Sequence, residues 1–180
     1  YSISDGIGIP LSAIAVSPTF DKVTLRLNAP LLRNKVYTIT VSAVTDCKGN
    51  IISTKNKARV GLSEIADSLS IVINEILFNP KSNGTDYVEI YNRSNKIIDL
   101  KQMFIANRNT AGVISNIKQL SADNYLLFPQ DFVVITEDPA VVKRDFITQN
   151  MDAFVTAASM PSFNDDEGDV IILNAQGNIV

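Results

Sequence analysis

Apolar and polar positions alternate with a period of two along most of the chain. In KVTLRLN (Lys22 to Asn28), Val23, Leu25 and Leu27 alternate with Lys22, Thr24 and Arg26, and VYTITVSAV (Val36 to Val44) is rich in β-branched residues. The same alternation recurs in LSIVINEIL, DYVEIYN, DFVVITE and GDVIILN, each bounded by Pro, Gly, Asn or Asp. Short strands separated by such turn formers predict an all-β chain built as a β-sandwich. The turns DCKGN (Asp46 to Asn50) and NAQGN (Asn174 to Asn178) fit between strands, and the last strand, opened by Ile179 and Val180, is expected to run beyond Val180. One short helix is predicted over 139–147, with Asp138 as N-cap, Pro139 as its first residue, and Val142 and Phe146 four apart on one face.

The polar, small-residue stretch GLSEIADSLS (Gly61 to Ser70) interrupts the pattern and divides the chain. The expected organisation is a first β-module over 1–62, a linker over 63–70 and a larger sandwich over 71–180. Charge divides at the same place. Residues 1–70 hold 8 basic and 5 acidic side chains, net +3, and residues 71–180 hold 8 basic and 14 acidic, net −6. With 46% hydrophobic residues the composition is globular, and no apolar run is long enough to span a bilayer, so membrane insertion is not expected. Histidine is absent, which removes histidine general bases and Ser-His-Asp chemistry, and the single Cys47 rules out an internal disulfide.

The blocks IVINEILFNP, GTDYVEIYNRSNKIIDL, LLFPQDFVVITED and MPSFNDDEGDVIILNAQGNIV, in this order, resemble the lamin-tail domain as it occurs in bacterial secreted and surface proteins, over roughly 70–180. That resemblance implies an immunoglobulin-like sandwich without catalytic residues. Residues 1–62, through VTLRLNAPL and VYTITVSAVTDCKGNII, are similar to the C-terminal part of a bacterial immunoglobulin-like domain of surface-layer type. Both resemblances imply an extracellular, cell-surface or periplasmic location.

Two carboxylates raise the question of chemistry. Glu75 and Glu89 lie in adjacent predicted strands, where a shared face would set them side by side, as a retaining glycosidase or a metal site requires. Glu75 has apolar neighbours two positions away on both sides, Ile73 and Leu77, and a base such as Arg93 offers it a partner. A sheet-surface role for both acids is the expectation, because sandwich active sites use loops. The acidic hairpin NDDEGD gives a candidate calcium site, Asp165, Asp166, Glu167 and Asp169, whose alternative is a plain turn with Gly168 at positive φ. Arg93, Lys96, Lys101 and Arg108 with Tyr87 and Tyr91 outline a nucleic-acid surface, but the net −6 of this half and the interleaved Asp86, Glu89 and Asp99 argue against phosphate binding. NGT (Asn83 to Thr85) and NRS (Asn92 to Ser94) fit N-glycosylation acceptors, and Cys47 beside Lys48 is expected to have no role.

The expected function is that of a non-enzymatic, exported binding or structural module, contacting a protein or cell-surface component in adhesion, scaffolding or presentation of another domain. Unpaired strand edges are the expected contact surfaces, including contact with a second copy. The alternative is an accessory region of a larger secreted hydrolase, nuclease or phosphatase whose catalytic domain is not in this chain.

Overall fold

A computed structural model describes residues 1–164 and 167–180. The chain forms two compact units, Tyr1–Leu62 and Ser63–Val180.

In the first unit, β1 (Ser2–Ile3), β4 (Tyr37–Thr40) and β5 (Lys57–Val60) form a sheet in the order β1-β4-β5, while β2 (Ser12–Ala15) and β3 (Val23–Arg26) form a separate antiparallel ribbon. The long strand expected from Val36 to Val44 contracts to Tyr37–Thr40, and Ala43, at φ 54°, lies in the left-handed region that a continuous strand does not allow. Only Ile3, Ile7 and Tyr37 are buried, with Leu27, Leu31, Ile39 and Val60 packed around them. The Tyr37 hydroxyl accepts a hydrogen bond from the Leu32 N–H at 3.0 Å, so the one large buried side chain is polar-satisfied. Asp46 closes the DCKGN turn: its carboxylate accepts from the Lys48 and Asn50 N–H groups at 2.8 and 2.9 Å, and Gly49 supplies φ 84°.

The second unit is an immunoglobulin-like β-sandwich. Its strands are β6 (Ile71–Leu77), β7 (Tyr87–Asn92), β8 (Ile98–Asp99), β9 (Phe104–Arg108), β10 (Ile114–Gln119), β11 (Leu126–Leu127), β12 (Phe132–Thr136), β13 (Phe154–Thr156) and β14 (Ile171–Leu173). One sheet runs β13-β12-β7-β6 and the other β10-β9-β14, with β8 and β11 paired beside them. Alternation drives the layering. Val88 and Ile90 of β7 and Val133 and Ile135 of β12 turn inward and meet Ile105 of β9 and Ile172 of β14 in one core with Ile98, Leu100, Met103, Leu120 and Leu127. Buried polar groups are satisfied. Asn92 donates to the Lys96 and Leu127 carbonyls at 2.8 and 3.0 Å and accepts from Ser94, and Asp99 caps the short 3-10 turn Leu100–Gln102 while accepting from Tyr125 N–H at 3.1 Å.

β12 and β13 are parallel, so the chain must cross over between them, and α1 (Pro139–Asp145) makes the crossover. Asp138 accepts from the Ala140 and Val141 N–H groups at 3.0 and 3.3 Å, with Pro139 opening the helix as predicted. The helix stops at Asp145 instead of 147, because Phe146 is already extended and sets its ring edge against Tyr87 at 5.6 Å.

The stretch 63–70, expected as a linker, is laid onto the second unit. Ser63 bridges to Ile97, the Glu64 N–H donates to the Ile97 carbonyl at 2.8 Å, and Ala66 is buried in the sandwich core. Lys96 donates to the Ile65 carbonyl and pairs with Asp67, and Asn174 donates to the Ala66 carbonyl at 2.9 Å. Small polar side chains hide this anchoring, because the bonds run to the backbone.

Candidate binding face on the outer sheet surface

The strand IVINEIL carries two polar residues in succession between Ile73 and Ile76. Strict alternation from Ile71 and Ile73 would aim Glu75 into the core. The structure avoids this with a β-bulge: register shifts between Ile73 and Glu75, Asn74 is the extra residue, and Glu75 is set opposite Glu89 while Ile76 is set opposite Val88. Both carboxylates therefore lie on the outer face, side by side on neighbouring strands. Their mutual repulsion is relieved by neutral donors: Asn74 Nδ2 donates to Glu89 at 2.6 Å and the Tyr87 hydroxyl donates to Glu75 at 2.5 Å. The partner of Glu75 is thus a phenol and not Arg93. Burial, then the hydrogen bond to Glu75, push the Tyr87 hydroxyl well above its ordinary pKa, so it stays a donor throughout the physiological range.

One position along the same face, Tyr91 of β7 lies opposite Phe132 of β12, their rings stacked at 4.4 Å between centroids, and the Tyr91 hydroxyl donates to Gln130. Phe132 is 45% exposed. Phe154 of β13 continues this face beside Val134, with Lys143 over its ring at 4.4 Å. The outer face therefore presents an aromatic pair beside a double carboxylate.

This geometry does not suit catalysis by the two acids. They stand in mid-strand on an open face, and each is already engaged by a neutral donor. A polar cleft of about 420 Å³ lies elsewhere on this unit, lined by Pro80, Gly84, Thr85, Asp86, Glu137, Met160, Pro161 and Ser162. There Glu137 accepts from the Met160 N–H at 2.6 Å, which ties the 160 loop to the end of β12.

The remaining sequence-derived sites fare differently. Of the calcium candidates, Asp165 and Asp166 lie outside the described residues, while Glu167 and Asp169 are exposed. Among the described residues no three metal-ligating side chains cluster. Gly168 does not take the positive φ expected of it. Tyr87 is buried and bonded to Glu75, so it cannot stack on a base, and Lys96 is committed to Asp67 and Ile65. Asn92 is fully buried, which closes the NRS acceptor in the folded chain, whereas Asn83 is exposed at a turn. Sequence reasoning named Tyr91 as a stacking residue but missed Phe132, the exposed ring against which it stacks. The signal was present in an aromatic on each of two strands, but their register was not.

Searches of curated proteins and of solved structures return no match to the chain. A family model does match: the Lamin Tail Domain, over residues 65–180, a span that includes the anchored 65–70 stretch and the whole sandwich. Lamin tail domains are non-catalytic immunoglobulin-like modules, in accord with a double carboxylate held by neutral donors on an open sheet. The chain belongs to the lamin tail domain family.

Proposed function

We propose that this protein is an exported, non-enzymatic binding module that attaches to a protein partner through the outer face of the β13-β12-β7-β6 sheet. The observation that carries the reading is the half-buried Tyr91 stacked on the exposed Phe132 beside Glu75 and Glu89. Such a face suits a partner presenting arginine: a guanidinium stacks on an aromatic ring and donates paired N–H bonds to carboxylates. The second unit supports this choice of partner, since residues 63–180 hold 8 basic against 16 acidic side chains. The roles that follow are adhesion, scaffolding or presentation of another domain. Location outside the cytoplasm follows from the sequence resemblance of residues 70–180 to lamin-tail domains of bacterial secreted and surface proteins.

Fluorescence anisotropy with a labelled extended peptide of alternating Arg and Val tests the proposal. Binding should weaken with salt and fall roughly tenfold or more in Phe132→Ala and in the double variant Glu75→Gln/Glu89→Gln. Equal binding by all three proteins would overturn the assignment of this face.

A further inference from the structure

We propose that two copies of this chain pair through the outer edge of β2, antiparallel about a two-fold axis at Ile14, so that their β2–β3 ribbons join into one four-stranded sheet. Two strands in isolation bury little, and a ribbon of this kind gains from added strands. Among the described residues the ribbon has β2 and β3 as its members, and the side chains of Leu11, Ile14, Val16, Phe20 and Val23 are all exposed.

The occupant follows from the composition of the edge. Leu11 to Val16 contains no charge and no proline, and the β2–β3 register is unbroken from Ser12 to Ala15. Several other edges carry features that discourage pairing. Lys57 and Arg59 stand in β5, bulges interrupt β6 and β10, and β13 is three residues long. A two-fold sets each residue of an edge against its own neighbourhood, so a charged edge repels its copy. On β3 the equivalent arrangement would oppose Arg26 and the partner's Lys22. On β2 it opposes only Ser, Ala, Ile and Val.

Backbone direction agrees. Val16 N–H donates to the Lys22 carbonyl at 2.9 Å, which from Ser12 onward assigns the even-numbered residues of β2 to the ladder with β3 and leaves the N–H and C=O groups of Ala13 and Ala15 pointing outward. Leu11 N–H turns in to the Arg26 carbonyl at 2.7 Å and ends the regular edge. With Ile14 on the axis, Ala13 exchanges both bonds with the partner's Ala15, and Ile14 meets the partner's Ile14 in the closely spaced, non-hydrogen-bonded pair. Ile14 is 63% exposed in the single chain, so this contact is available without rearrangement.

Light scattering of the full chain between about 10 and 300 μM should give twice the 19.7 kDa chain mass, and Ile14→Lys should return the mass to 19.7 kDa and melt where wild type melts when diluted until it is monomeric. In a Cys47→Ser background, Ile14→Cys should form a disulfide dimer under mild oxidation. Thr24→Cys should not, because the two β3 strands would stand about 14 Å apart across the joined sheet. A wild-type mass of 19.7 kDa throughout, a dimer that survives Ile14→Lys, or equal cross-linking at both cysteine positions would overturn the proposal.

Discussion

The two units solve the same problem, burying the apolar rows of short strands, to very different extents. In the sandwich, Val88, Ile90, Leu100, Ile105, Val133 and Ile135 are inaccessible to water and pack together in one core. In the first unit three residues are buried, while Ile9, Leu11, Ile14, Phe20, Leu32 and Ile51 are each more than half exposed. Composition does not explain the contrast, since both halves carry alternating apolar strands. What differs is closure. The sandwich buries the inner faces of its sheets in one continuous core, whereas the β2–β3 ribbon leaves Ile14, Val16 and Val23 exposed. The stability of the sandwich therefore rests on packing inside the chain, and that of the first unit depends far more on what covers it.

Core truncation separates the two most widely. Ile90→Ala should destabilise the sandwich by about 2–5 kcal/mol in urea unfolding, through lost burial and the cavity left behind. In Ile14→Ala the loss should be within about 0.5 kcal/mol at concentrations where the chain is monomeric. Similar costs at the two positions would remove the distinction.

Turn-closing polar residues give a second, smaller contrast. Asn92 and Asp46 both fold a turn back on itself, but Asn92 is buried and bonds the Lys96 and Leu127 carbonyls, whereas Asp46 is exposed. Asn92→Ala strands buried carbonyls and should cost about 2–4 kcal/mol, against about 1 kcal/mol or less for Asp46→Ala, where water replaces the lost partner. Thermal or denaturant melts of the two variants measure the difference.

Acid gives the finest comparison. Arg144 hydrogen-bonds the Asp145 carboxylate, Lys81 adds to it, and together they hold its pKa at about 2. In the first unit, the Asn50 side chain and neighbouring N–H groups lower the Asp46 pKa. A carboxyl with a depressed folded pKa contributes stability above its unfolded value near 4, and that contribution is lost as pH falls through the folded value. Melting temperatures followed from pH 5 to pH 2 should therefore fall less steeply in Asp145→Asn than in wild type. Asp46→Asn should change the slope by a smaller amount.

Legibility in the sequence tracked the range of the forces involved. The start of α1 is local, set by Asp138 and Pro139 within one turn, and could be read directly. The strands of the sandwich were legible because alternation is a local pattern. The bulge at Asn74 has a sequence trace, two polar residues where one is due, yet its effect on Glu75 exists only in register with β7. The burial of Tyr87 depends on Phe146, 59 positions along the chain. Likewise the 63–70 stretch looks like a link because its anchors are the side chains of Lys96 and Asn174 reaching its carbonyls. The outer-face site was half visible: its carboxylates were singled out, and its aromatic pair required the β7–β12 register.

The hydrogen bonds of Asn92 also set an order of events in time. An oligosaccharide is joined to the side-chain nitrogen of an N-x-S/T acceptor, and in the folded chain that nitrogen on Asn92 is spent on two carbonyls. Within a glycosylating secretory route, transfer to Asn92 would have to win a race against closure of the sandwich. Asn83, exposed at its turn, runs no such race. Sugar occupancy at Asn92 relative to Asn83 would therefore act as a clock, recording how long each newly made chain stayed open before it folded.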